Sequence, residues 1–120
     1  MPWCLSNLAV LLRNIGRGSE AEPLFHQAIA IGEKVLGFGH PLTQRYRSHF
    51  ARLLVGTERT SEALAFGEAA LATHQAASGS SHPWTKDSAR VTADALGRTE
   101  EAKALRERYG LTEPEKPKVP

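Results

Sequence analysis

The sequence predicts an all-α fold in which three helical hairpins stack into one array. A pattern of residues recurs at an interval of 42 positions in the 120-residue chain, and periods of about 20 to 50 residues are typical of solenoids and related arrays. Apolar residues follow helical spacing between breaks that contain glycine or proline. No segment alternates apolar and polar residues over a sustained length, which argues against strands.

The repeat keeps one register over two full copies. Glu20-Ala21 recurs as Glu62-Ala63, and His40-Pro41 recurs as His82-Pro83. The same interval relates further pairs of small, apolar and basic residues: Ala9 and Ala51, Leu12 and Leu54, Arg17 and Arg59. A single recurring dipeptide would mean little, but several matches in one register indicate a duplicated structural unit.

A third copy is shorter. Gly97-Arg98-x-x-Glu101-Ala102 restates Gly16-Arg17-x-x-Glu20-Ala21 about three residues early, and we expect the missing residues at the start of that copy. The predicted array therefore covers residues 1–109, with repeats at about 3–40, 41–82 and 83–109. Residues 110–120 contain three prolines and alternating charges, and we expect them to form a disordered tail.

Each unit has the pattern of a helical hairpin. In the first unit, Leu5 to Ile15 predicts one helix, which Gly16-Arg17-Gly18 ends. Ser19 is the expected N-cap of a second helix with its own apolar face. Gly37-Phe38-Gly39 ends that helix, and Pro41 suits the first turn of the next one, where its missing N–H costs nothing.

Small residues and the last helix fit the same arrangement. We expect Ala9, Ala21 and Ala28 where neighbouring helices approach closely, because a larger side chain would force the helices apart. The last helix, about Thr99 to Tyr109, is rich in charged residues. It therefore has the polar outer face that a terminal cap of a solenoid needs.

Composition argues against several classes of protein. Fifteen basic residues against thirteen acidic ones give a net charge of +2, which is too small a bias to predict a nucleic-acid or membrane partner. The apolar stretch Leu5 to Leu12 is too short for a membrane span and lacks the preceding basic residues of a secretory signal. With neither a secretory signal nor a membrane span, the expected compartment is the cytoplasm. The single cysteine, Cys4, cannot form an internal disulfide, so nothing suggests an oxidising compartment.

The sequence predicts no catalytic, metal or cofactor site. The two histidines that precede proline, His40 and His82, suit a capping role. The others show no i, i+4 pairing, with one another or with a carboxylate, that would present a closed metal site: His26, His49 and His74. Cys4 lies in the most apolar segment and is expected to be packed and unreactive. We therefore expect neither an enzyme nor a bound cofactor.

Three sequence elements carry a resemblance to a known family. They are Asn7-Leu8-Ala9, Gly16-Arg17-x-x-Glu20-Ala21-Glu22-Pro23-Leu24 and Leu36-Gly37-Phe38-Gly39-His40-Pro41. With the repeat length near 42 residues, they resemble the tetratricopeptide repeat, in the longer variant typified by kinesin light chain. The resemblance covers about residues 3 to 109. It implies a right-handed superhelical stack of three antiparallel helix hairpins.

The resemblance also implies a concave groove that binds an extended peptide or a partner helix. In this family the first helix of each hairpin lines the groove. Carried over position by position, the groove residues are Ser6, Asn7, Val10, Arg13, Asn14, Arg45, Ser48, His49, Arg52, Val55, Asp87, Ser88, Val91 and Asp94. The implied function is a protein- or peptide-binding module.

The groove arginines allow two interpretations. They form either a solvated helix face, since exposed arginine is common, or a set of ligand contacts. As ligand contacts, Arg13, Arg45 and Arg52 would favour a carboxylate-bearing ligand. Asp87 and Asp94 would then make the far end of the groove acidic. We therefore expect a peptide of mixed charge rather than a polyanion.

The first helix is apolar around most of its circumference. An exposed apolar face usually marks an interface, so we expect a self-association face that forms a homodimer: Trp3, Leu5, Leu8 and Leu11. Alternatively, this end is the remnant of a longer array. The alternative function is a structural element, self-associating or truncated, with no groove ligand. An RNA-binding helical repeat is a third interpretation, which the scarcity of groove aromatics argues against.

Overall fold

The computed structural model describes residues 2–97 and 99–111, and this part of the chain forms six α-helices. They are α1 (Pro2–Asn14), α2 (Gly18–Val35), α3 (Pro41–Gly56), α4 (Thr60–Ser78), α5 (Pro83–Leu96) and α6 (Glu100–Arg108). Each helix packs on the next, and α3 also contacts α1 and α5. The first helices of the three hairpins therefore form one layer. The predicted all-α stack of hairpins is confirmed.

Alanines occupy the helix crossings. Ala9, Ala21 and Ala28 are fully buried, as expected, and Ala51 and Ala63 repeat two of these positions one repeat later. Aromatic rings fill the wider spaces between the helices: Phe25 and Phe50 lie 5.9 Å apart. The core is therefore one continuous cluster from α1 to α5 and does not divide into a separate core for each hairpin.

Histidine caps begin the second and third hairpins. Nδ1 of His40 accepts a hydrogen bond from the backbone N–H of Leu42, and Nδ1 of His82 accepts one from Trp84, each at 3.1 Å. The proline that follows each histidine occupies the first turn of α3 or α5. The predicted capping role of His40 and His82 is confirmed, because each satisfies a backbone donor that the helix itself leaves unpaired.

The predicted N-cap at Ser19 is wrong. Helix α2 begins at Gly18 after Arg17, which makes no side-chain capping bond. The reason lies in the preceding turn: Gly16 has a φ of 83°, and Arg17 donates its backbone N–H to Leu12 at 2.7 Å. Such a Schellman turn closes α1 so tightly that α2 starts before Ser19.

The short third copy loses its residues in the middle. Because the capping histidine sets where α5 begins, Pro83 stays 42 residues after Pro41, and the expected deletion at the start of the copy is wrong. Helix α5 has 14 residues against 16 in α3, and the remaining loss falls at the start of α6.

The predicted tail lies outside the described residues, apart from Gly110 and Leu111. No described helix is both long enough and apolar enough to cross a membrane.

Candidate ligand-binding cleft

A cleft of about 230 Å³ opens on the layer formed by α1, α3 and α5. Eight residues line it: Arg13, Arg45, Ser48, His49, Arg52, Asp87, Arg90 and Val91. The family resemblance places seven of them on the groove. It does not place Arg90 there, although Arg90 lies three residues after Asp87 and one repeat after Ser48, and both positions could have indicated it.

Two aspartates hold the cleft arginines across repeats. Asp87 accepts a hydrogen bond from Nη1 of Arg45 at 2.9 Å and another from Nη1 of Arg90 at 2.7 Å. Asp94 accepts hydrogen bonds from Nη1 of Arg52 and from Nη2 of the buried Arg106. The expected acidic end of the groove is therefore wrong, because both carboxylates are paired with arginines and neutralise them.

Corresponding helix positions supply the two inter-repeat pairs. Arg45 and Asp87 are separated by 42 residues, and so are Arg52 and Asp94. Each pair thus joins the same position of consecutive repeats, with arginine on α3 and aspartate on α5. Both pairs are partly shielded from water, so they are screened less than fully exposed pairs would be.

Arg13 is the cleft arginine that makes no ion pair with a described carboxylate. Its Nη1 donates to the backbone carbonyl of His49 at 3.2 Å, and Nε and Nη2 donate to Oδ1 of Asn14. Partial burial lowers the pKa of Arg13, and the positive charges of Arg52 and Arg45 lower it further. Arginine still remains protonated in proteins, so the cleft contains a fixed and incompletely compensated positive charge.

His49 is neutral at physiological pH. Burial lowers its pKa to about 3, the charges of Arg45 and Arg13 lower it as well, and Asp87 opposes the shift. A neutral imidazole offers one N–H donor and one acceptor nitrogen. The cleft therefore combines four guanidinium groups with an uncharged hydrogen-bonding ring.

A comparison with protein families identifies the fold unit. A family model described as tetratricopeptide repeat matches residues 3–42 and 43–83, which together are more than half of the chain. The chain belongs to the tetratricopeptide repeat family. The two matches support its kinesin light chain-like type. Tetratricopeptide repeats generally mediate protein–protein interactions and are typically non-enzymatic scaffolds. No curated protein sequence matched the chain.

The remaining predicted groove residues lie outside the cleft lining of this tetratricopeptide array. Asn7 and Asn14 are exposed, Val10 and Val55 are half-buried, and Asp94 lies behind Arg52 as its ion-pair partner. Asn7 does not line the cleft. Ser6 is buried and is not available to a ligand in this structure.

Ser88 points into the core of the array, so its predicted groove position is wrong. It is fully buried, and its Oγ lies 2.7 Å from Nδ1 of His74. Nε2 of His74 lies 2.9 Å from the carbonyl of Pro41. A carbonyl only accepts, so Nε2 carries the proton and Nδ1 accepts from Ser88. The neutral ring agrees with burial, which is the main cause that lowers the pKa of His74.

Two further predictions about reactive groups need correction. Cys4 is exposed rather than packed. His26 does have an i, i+4 carboxylate partner, since its Nε2 lies 3.7 Å from Glu22. The described residues contain no group of three side chains that could hold a metal ion.

The predicted self-association face is exposed except at Leu5. Trp3, Leu8 and Leu11 are exposed, and Ile15 extends the same face, whereas Leu5 packs against the core. Leu8 and Leu11 are 47% and 57% exposed, but the residues one repeat later, Phe50 and Leu53, are 1% and 5% exposed. In α3 this face is covered by α2. In α1 the same face is open.

Proposed function

We propose that this chain is a non-enzymatic interaction module whose cleft binds an acidic segment of a partner protein. The observation that carries the proposal is the excess of cationic groups in the cleft. Four arginines and one aspartate line it, and the second aspartate, Asp94, stands behind Arg52. An acidic side chain of a ligand would supply the missing negative charge.

The geometry of Arg13 supports the proposal. Its guanidinium group is held by the His49 carbonyl and the Asn14 side chain, so less side-chain entropy is lost when a ligand binds. Hydrogen bonds to charged groups contribute about 1.5–3 kcal/mol each. One carboxylate on Arg13 and His49 is therefore enough to anchor a peptide that also contacts the neighbouring helices.

The substitution Arg13→Gln tests this function. We expect a fluorescein-labelled glycine-serine peptide with a central glutamate to bind the variant roughly tenfold or more weakly, because the main charge-assisted contact is lost. Fluorescence anisotropy measures the affinity, and circular dichroism should show unchanged helicity. Arg108→Gln, at an exposed arginine on α6 outside the cleft, is the matched control. Equal affinities of wild type and Arg13→Gln would contradict the proposed site.

Arg52 is less suitable for this experiment. Its guanidinium group neutralises Asp94 across two repeats, so a charge reversal would place two carboxylates side by side and destabilise the stack. Arg13 has no such structural carboxylate among the described residues, so its substitution separates binding from stability.

A second candidate function is self-association through the open face of α1. The observation that favours it is the contrast between Leu8 and Leu11 in α1 and their buried counterparts in α3. A second copy of the chain would cover Trp3, Leu8, Leu11 and Ile15 in a symmetric contact of α1 with α1. Sedimentation of the purified chain tests this candidate: a dimer supports it, and a monomer at all concentrations contradicts it.

A further inference from the structure

We propose that the cleft recognises a phosphate monoester on a phosphoserine or phosphothreonine of the partner in preference to a carboxylate. This inference rests on the proposed function and specifies the ligand of the same cleft. Three properties of the cleft carry it: its charge, its free hydrogen-bond donors and its lack of aromatic residues.

The charge of the cleft matches a dianion. Arg13, Arg45, Arg52 and Arg90 face Asp87 in the lining, and Asp94 offsets one more positive charge from behind Arg52. Asp94 is shared with Arg106 outside the lining, so the four lining arginines keep at least two positive charges in excess of the two aspartates. A carboxylate would neutralise one of them, whereas a phosphate monoester carries a charge of about −1.5 to −2 at pH 7.

The free donors suit a tetrahedral ligand with three acceptor oxygens. Arg45, Arg52 and Arg90 each donate a hydrogen bond from Nη1 to an aspartate, which is the bond that each makes to the described residues. Their Nε and Nη2 groups stay available, and guanidinium forks bind phosphate through paired N–H groups. Neutral His49 can donate one further N–H without adding charge. A carboxylate offers two oxygens in one plane, so it satisfies fewer of the donors that approach from α1, α3 and α5 than three tetrahedrally placed oxygens do.

The cleft lacks the features of a nucleic-acid site. Its lining contains no phenylalanine, tyrosine or tryptophan on which bases could stack. Its volume of about 230 Å³ suits one tetrahedral group and its attached carbons rather than a track along a strand. Binding of an oligonucleotide is therefore tested as the result that would compete with the inference.

Three labelled peptides test the inference on the full chain. They share one glycine-serine sequence and differ at the central residue, which is phosphoserine, glutamate or serine. Fluorescence anisotropy at pH 7.5 and fixed ionic strength measures their affinities. We expect the phosphoserine peptide to bind about tenfold or more tightly than the glutamate peptide, and the serine peptide to bind most weakly. Arg13→Gln should remove most of this preference, and Arg108→Gln should preserve it.

The dependence on pH provides a second readout. The second pKa of a phosphate monoester is about 6, so affinity for the phosphoserine peptide should fall several-fold between pH 7.5 and pH 5.5. Affinity for the glutamate peptide should change little over the same range, because an ordinary glutamate stays ionised there. Equal pH profiles for the two peptides would contradict recognition of the dianion.

The possible outcomes separate the inference from the proposed function. A glutamate peptide that binds as tightly as the phosphoserine peptide would overturn the inference and leave the proposed function standing. Failure of both acidic peptides to bind more tightly than the serine peptide would overturn both. A labelled decathymidylate that binds more tightly than the phosphoserine peptide would overturn the inference in favour of a nucleic-acid backbone. Competition by millimolar inorganic phosphate against the phosphoserine peptide would support it.

Discussion

Gly67 determines how closely α4 approaches α5. A Cβ atom at this position would lie 2.7 Å from Oγ1 of Thr92 and 3.4 Å from its Cα. One repeat earlier the same crossing holds Phe25 on α2 and Phe50 on α3, with their rings in contact. The small pair therefore lets α4 lie closer to α5 than the two phenylalanines let α2 lie to α3, and each crossing is close-packed at its own spacing.

The substitution Gly67→Ala should lower stability despite the better helix propensity of alanine. Overpacking of a core costs about 1–3 kcal/mol, and alanine returns at most about 1 kcal/mol in a helix interior. We expect a net loss of up to about 2 kcal/mol in the free energy of unfolding, measured by urea denaturation. Gly56→Ala is the control, since a Cβ there would meet no atom within 4 Å.

A second substitution isolates the clash. Thr92→Ala removes the Oγ1 atom nearest to the new methyl group, so Gly67→Ala should cost less in that background. A cost that is the same in both backgrounds would show that the contact with Thr92 does not limit the approach of α4 to α5.

At the scale of elements, side chains at helix starts and across the stack hold the hairpins in place. His40 and His82 cap α3 and α5, and Thr99 caps α6 through a bond from the Ala102 N–H. Asp94 connects three helices, because it binds Arg52 on α3 and Arg106 on α6 from its own position on α5. These contacts set the starts of α3, α5 and α6 and the alignment of neighbouring repeats.

Removal of the cap at His82 should destabilise the third hairpin. His82→Ala leaves the Trp84 N–H without its capping acceptor, and loss of an N-cap costs about 0.5–2 kcal/mol. His82→Asn should retain most of the stability, because asparagine is among the best N-cap residues. Chemical denaturation followed by circular dichroism measures both. Equal losses in the two variants would assign the effect to packing of the ring on Trp84, 5.7 Å away, and not to the cap.

At the scale of the whole molecule, the two ends of the described array differ in polarity. Helix α6 is predominantly charged and has a polar outer face. Helix α1 has no acidic residue in its first turn and exposes Trp3, Leu8 and Leu11. A head-to-tail contact would place charged side chains of α6 on an apolar face. A symmetric contact between two α1 helices avoids this mismatch.

The sedimentation behaviour should therefore depend on α1. We expect the wild-type chain to dimerise with rising concentration and Leu11→Glu to stay monomeric at the same helicity, because Leu11 is exposed and its replacement removes no core contact. Val35→Glu, at an exposed apolar residue near the end of α2, is the control and should still dimerise. A wild-type monomer throughout, or a dimer that survives Leu11→Glu, would contradict self-association through this face.

Much of the architecture and part of the cleft could be predicted from the repeat. The matched alanines, the His-Pro starts and the register of 42 residues identify the hairpins, and the family positions place Arg13, Arg45 and Arg52 beside one another. The failures have a common cause. Ser88 lies on a helix face of small and polar residues, and Leu5 lies on a helix face that is uniformly apolar. Periodicity alone therefore cannot say which neighbour each residue meets.

The sequence by itself determined the helices, their order and the repeated positions, because these depend on local spacing and on residues that cap or break helices. Only the tertiary structure decided which charged residues form ion pairs. Arg45 and Asp87 are far apart along the chain, and stacking of α3 on α5 brings them within 2.9 Å. The same stacking places the half-buried His49 among arginines and leaves Arg13 without a carboxylate partner among the described residues. The charge state of a side chain and the hydrogen-bond donors that it leaves unpaired depend on its neighbours in space. The repeat pattern of the sequence does not specify those neighbours.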